Sequence, residues 1–151
     1  MNTIVRQRVI KSIISVAVIA TGATALARST PGLAGQPYQP TDYQCFNNGA
    51  GAVWNSCANT VKTFCIALPV DSGAHDIQVT AFSPDSTHAI SCQANAVDRY
   101  ATFVWRSQLS TTPAIGTPSV IDLGTGTVPP TGALMVCCNM PDTTKLMTVN
   151  W

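Results

Sequence analysis

The chain has 151 residues, of which only 10% are charged, and its eight lysines and arginines against seven acidic residues give a formal net charge of +1. All seven acidic residues are aspartates, and three of the basic residues fall within the first 27 positions, so residues 28–151 carry five basic residues against seven aspartates, a net of −2. A charge so weak and scattered excludes the electrostatic footprint of a nucleic-acid binder or of a protein held on an acidic membrane surface.

The first 27 residues read as a cleavable secretory signal. Arg6, Arg8 and Lys11 form a positive head, Ser12 to Thr21 an apolar stretch, and Ala25-Leu26-Ala27 a small-residue cleavage site. The uncharged run from Ser12 to Ala27 is 16 residues long, short of the ~20 apolar residues that a spanning helix needs. Stable membrane insertion after cleavage is therefore not expected, and the destination is secreted or periplasmic. Residues 28–44 hold three prolines and two glycines without alternation, which predicts a flexible arm. Residues 45–151 then form a single domain.

Within that domain the signals are for strands. Residues 60–70 place Phe64, Ile66 and Leu68 on one face, and residues 76–82 do the same with Ile77, Val79 and Ala81. Residues 88–94 follow the turn-like Ser83-Pro84-Asp85-Ser86, which predicts a hairpin between 76–82 and 88–94. Residues 99–109 alternate Ala101, Phe103 and Trp105 against Tyr100, Thr102, Val104 and Arg106, putting Trp105 with Phe103 in the core. A short strand over 119–123 leads into "LGTGTVPPTG" (123–132), whose glycines and prolines predict a flexible loop. Strands over 133–140 and 145–151 flank Pro141-Asp142-Thr143-Thr144 and read as a last hairpin. About seven short strands and no helical stripe predict an all-β fold, a small antiparallel β-sandwich. The terminal "LMTVNW", with Met147, Val149 and Trp151 on one face, resembles the end of an outer-membrane barrel protein. The chain is too short and its strands too brief for eight spanning strands.

All six cysteines (Cys45, Cys57, Cys65, Cys92, Cys137 and Cys138) lie in residues 28–151, and an even number in an exported domain predicts a disulfide framework. Their spacings of 12, 8, 27, 45 and 1 match neither zinc-ligand pairs nor a Cys-x-x-Cys redox motif. No metal and no other cofactor is expected. Cys137 and Cys138 are neighbours in a strand and point to opposite faces, so they should form two bridges in two directions. One would run inward toward Cys65 or Cys92, the other toward the Cys45–Cys57 region.

The order of motifs carries a resemblance. Cys45 with Asn48-Gly49, Cys65 to Pro69, Val79 to Phe82, Ile90-Ser91-Cys92 and Val136 to Pro141 together are similar to a loose group of small secreted proteobacterial proteins of the myxobacterial type, to which no function is assigned. The resemblance implies a disulfide-stapled β fold and no activity. Against a simpler four-cysteine pattern, Cys57 and one of the adjacent pair are additions, which leaves open a bond between those two.

Catalytic residues are not expected. His75 has Asp71 and Asp76 nearby, and His88 has Asp85, but a hairpin between 76–82 and 88–94 would hold the two imidazoles ~20 Å apart. No Gly-x-Ser-x-Gly is present to place a nucleophile. Trp54, Tyr43, His75 and His88 are the candidate binding residues, since exposed aromatics on a sandwich can stack on sugars or anchor a protein. The leading expectation is a binding or structural module for a protein or glycan. The alternatives are a small hydrolase using His75 or His88 with an aspartate, and a protease inhibitor presenting loop 123–132.

Overall fold

A computed structural model describes residues 28–151; the expected signal peptide, residues 1–27, lies outside them. The fold is an all-β sandwich of two antiparallel sheets. Among the described residues twelve strands form, more than the alternation announces: β1 (Ser29–Pro31), β2 (Gln36–Pro37), β3 (Phe46–Gly49), β4 (Ala52–Asn55), β5 (Val61–Leu68), β6 (Gly73–Phe82), β7 (Ser91–Val97), β8 (Phe103–Arg106), β9 (Ser110–Thr111), β10 (Pro118–Val128), β11 (Ala133–Pro141) and β12 (Lys145–Asn150). The first sheet runs β10-β6-β12-β4-β3, with β1 also on β12; the second runs β2-β5-β11-β7-β8, with β9 also on β7.

Alternation builds the core as expected. Phe64, Ile66 and Leu68 of β5, Leu134, Val136 and Cys138 of β11, and Cys92, Ala94 and Ala96 of β7 face inward from one sheet. Ile77, Val79 and Ala81 of β6 and Leu146 and Val149 of β12 meet them from the other. Each large aliphatic side chain so buried stabilises the fold by about 1.5–3 kcal/mol.

The pairing differs from the expected hairpins. β6 and β7 lie in different sheets, as do β11 and β12, so the turn-like tetrapeptides at 83–86 and 141–144 carry the chain across the sandwich. Buried polar groups hold these crossings. Ser83 Oγ accepts from Ile90 N (3.0 Å) and pairs with Thr112 Oγ1 (2.8 Å). Asn55, fully buried, donates to Thr60 O (3.0 Å) and Met140 O (2.9 Å) and accepts from Cys57 N (3.0 Å). A true two-residue hairpin joins β3 to β4 through Ala50 and Gly51, both with positive φ (48° and 83°), the conformation that matches strand twist.

Three other expectations are corrected. Residues 28–44 do not stand apart as an arm: β1 joins the first sheet and β2 the second. Gly35 permits this, because a Cβ there would lie 2.4 Å from Cys65 O. The loop expected over 123–132 is strand as far as Val128, paired along its length with β6 past a bulge between Asp122 and Gly124. A bulge between Leu146 and Thr148 breaks the terminal alternation, so Leu146 and Val149 point inward, and β12 sits centrally in an open sheet.

All six cysteines are bonded: Cys45–Cys57, Cys65–Cys137 and Cys92–Cys138. The adjacent pair does reach in two directions, both to neighbouring strands of one sheet. Cys137 faces Cys65 on β5, and Cys138 faces Cys92 on β7. Neither goes to Cys45 or Cys57, which close on each other. Three disulfides are a pattern of oxidising compartments. No helix among the described residues is long and apolar enough to cross a membrane.

Candidate functional site

The candidate binding residues named from sequence fall in separate places. Trp54 lies on β4 opposite Lys145, which in turn faces Phe82 with its ammonium 5.7 Å from the ring centre. All three are on the outer face of the first sheet. Tyr43 is 59% exposed in a 3-10 turn, Pro40–Cys45. That turn is tied down by the Lys62–Asp42 ion pair at 2.8 Å.

His75 and His88 do not converge, although the hairpin that seemed to separate them does not exist. His75 lies near the start of β6, with Nε2 donating to Asp71 O at 2.8 Å. His88 lies beyond the far end of β6, where it is held by two carboxylates. Its Nδ1 is 2.8 Å from Asp85 Oδ1, and its Nε2 is 3.2 Å from Asp142 Oδ1. Asp142 also accepts from Asn59 N (2.9 Å), and its own N–H donates to Thr60 O (3.1 Å). The cluster thus pins three crossings at one end of the sandwich: 55–60, 83–90 and 141–144. Hydrogen bonds from the Thr87 hydroxyl and then from His88 lower the Asp85 pKa to about 2. The hydrogen bond to Asp85 and the two carboxylate charges raise that of His88. With an acceptor on each ring nitrogen, the imidazolium is the form that satisfies both. In that form the ring has no lone pair with which to take a proton from a nucleophile. No group of three or more potential metal ligands occurs among the described residues.

The most developed surface is one the sequence did not single out, the outer face of the second sheet. Side chains that alternate with the buried ones on β5, β11 and β7 line up across it in register. Thr63, Asn139 and Ser91 form one row; Cys65, Cys137 and Gln93 the next; Ala67, Met135, Asn95 and Arg106 a third. At one margin a bulge in β8 places Phe103 opposite Val97 on this outer face, while Trp105 opposite Ala96 turns inward. The expectation that Trp105 and Phe103 share the core is therefore half corrected. Trp105 packs against the core and over Gly126, where a Cβ would come within 2.7 Å of the ring. Phe103 is 56% exposed, with the Arg106 guanidinium 4.3 Å from its ring centre. Tyr100, 74% exposed, and Leu109, 56% exposed, lie in the segments before and after β8. At the other margin, where β2 crosses β5, a hollow of about 340 Å³ is lined by Ala34, Gly35, Gln36, Cys65, Ala67 and Met135.

No protein-family model and no curated protein matches the chain. Among solved structures it is similar to the enzymatically active domain of bacteriophage CBA120 tailspike protein 4. That match has 12% identity and a TM-score of 0.46, and covers 66% of this chain and 14% of that one. It is also similar to Arthrobacter globiformis T6 isomalto-dextranase complexed with panose, at 16% identity and a TM-score of 0.44, covering 68% and 21%. The chain thus spans about a fifth or less of the proteins it resembles.

Proposed function

We propose that the protein is an exported binding module, working in the periplasm or outside the cell, and that its contact surface is the outer face of the disulfide-bonded second sheet. The observation that carries this is the composition of that face. An exposed aromatic–arginine pair, Phe103 with Arg106, stands at one margin and a hollow at the other, with uncharged side chains between them. Aromatic and arginine side chains are the usual energetic centres of binding surfaces, and a six-stranded sheet gives them a rigid support. The test is binding of the purified domain to cell-envelope and secreted fractions. Phe103→Ala combined with Arg106→Ala should abolish retention while thermal unfolding is unchanged. Undiminished retention by that variant would place the contact elsewhere.

A further inference from the structure

We infer that the ligand of this face is an uncharged carbohydrate chain, an inference that rests on reading the face as the contact surface. The amides across it are each tied down by one atom. Gln93 Nε2 donates to Ser107 O (2.9 Å), Asn95 Oδ1 accepts from Arg106 Nε (2.9 Å), and Asn139 Oδ1 accepts from the Thr63 hydroxyl (2.8 Å). The other amide atom of each, Oε1 of Gln93 and Nδ2 of Asn95 and Asn139, has no protein partner. Among the described residues the only buried side-chain polar atom without one is Trp151 Nε1; Gln93 and Asn139 are partly exposed, whereas Asn95 is only 7% exposed and serves to hold Arg106. The result is an array already oriented by the sheet, with little rotamer entropy left to lose on binding.

Its chemistry selects among ligands. The free atoms on partly exposed side chains are an acceptor at Gln93 and a donor at Asn139. A hydroxyl, which both donates and accepts, satisfies such a mixture. A carboxylate or phosphate would require donors throughout, and an ammonium acceptors throughout. Along the three rows of this face Arg106 is the one charged side chain among the described residues, so the surface offers little to a polyanion. Phe103 presents an apolar ring face at the margin for the C–H side of a sugar. From β2 to β8 the face crosses four inter-strand gaps, roughly 19 Å, which several linked sugars would span. The open hollow beside β2 adds a shallow recess at the other margin of the face. An added peptide strand is poorly accommodated, because the edge it would join, β8, is four residues long and bulged.

The experiment is affinity electrophoresis of the folded domain through gels containing a neutral α-glucan, a neutral β-glucan or a galactomannan, with polygalacturonate as the charged control, at low and high salt. Retardation by at least one neutral polymer, unchanged by salt, is expected. Phe103→Ala and Asn139→Ala should each weaken it by roughly tenfold, while Gln78→Ala on the opposite sheet leaves it intact. Retardation by polygalacturonate alone and lost in salt, retardation by no neutral polymer, or retardation of the Phe103→Ala and Asn139→Ala variants equal to that of the unsubstituted domain would each overturn the inference. If no neutral polymer binds while envelope retention still depends on Phe103 and Arg106, the carbohydrate reading fails and the binding-module reading stands.

Discussion

The two faces of β11 are made by one stretch of chain and do opposite things. Leu134, Val136 and Cys138 are sealed in the core, whereas Met135, Cys137 and Asn139 are half-exposed on the outer face. Residues one position apart therefore answer to different constraints, packing density on one side and solvent-facing hydrogen bonds on the other. The disulfides repeat the contrast. Cys92–Cys138 closes 46 residues within the core, and Cys65–Cys137 closes 72 residues beneath the hollow. Chain entropy rates the two nearly alike, about 4 kcal/mol each, so what separates them is access.

The largest effect that would break this comparison is on stability. Replacing both Cys92 and Cys138 by alanine should cost about 4 kcal/mol in denaturant unfolding. In the intact protein a thiol reductant should open Cys65–Cys137 first, as followed by alkylation and mass spectrometry; simultaneous opening of both would erase the distinction. Leu134→Ala should cost ~2–5 kcal/mol, whereas Met135→Ala, one residue along, should cost under ~1 kcal/mol because its side chain faces the hollow. Asn55→Ala removes three hydrogen bonds at the crossings and should cost about 2 kcal/mol.

The carboxylate-clamped His88 gives a smaller effect whose sign follows from both partners. The raised His88 pKa adds stability that is complete below the ordinary value of 6.5 and is lost as pH rises through the raised one. The lowered Asp85 pKa adds stability that is complete above 3.8 and is lost as pH falls toward about 2. Together they make the pin strongest between pH 3.8 and 6.5. His88→Ala should remove the high-pH side of that dependence in thermal melts recorded across pH; an unchanged profile would show that the pin does not couple to folding. Smallest of all should be the stability change in Asn139→Ala, within ~0.5–1 kcal/mol, since that residue serves the outer face.

Much of the inner face was legible in the sequence. The triplets 64/66/68, 77/79/81 and 134/136/138 identify core positions by period two alone, and the adjacent cysteines announce bridges in two directions. Period two does not say which sheet a strand joins. Ser83-Pro84-Asp85-Ser86 and Pro141 to Thr144 have turn composition yet link opposite sheets, and the buried Ser83 and Asn55 that fix these crossings look like ordinary polar loop residues. Single-residue bulges at β8 and β12 reverse the alternation locally, which moved Phe103 out of the core. Glycines hid the second half of β10, where pairing with β6 overrides local preference, and hid the docking of residues 28–44. The outer face was illegible for a related reason. Thr63, Gln93, Asn95, Arg106 and Asn139 are scattered over 77 positions and become one surface only through strand register.

Adjacency of Cys137 and Cys138 also bears on how the molecule is made. If β11 docked one position out of step during synthesis, its faces would exchange and Cys138 could close on Cys65, stranding Cys92 and Cys137 as thiols. This two-bridge intermediate lies one slip from the native register, and closing its two stranded thiols on each other would give one of the 14 non-native pairings among the 15 that six cysteines admit. Efficient production should accordingly depend on a disulfide-shuffling catalyst, more than it would for a chain with a single cysteine in that strand.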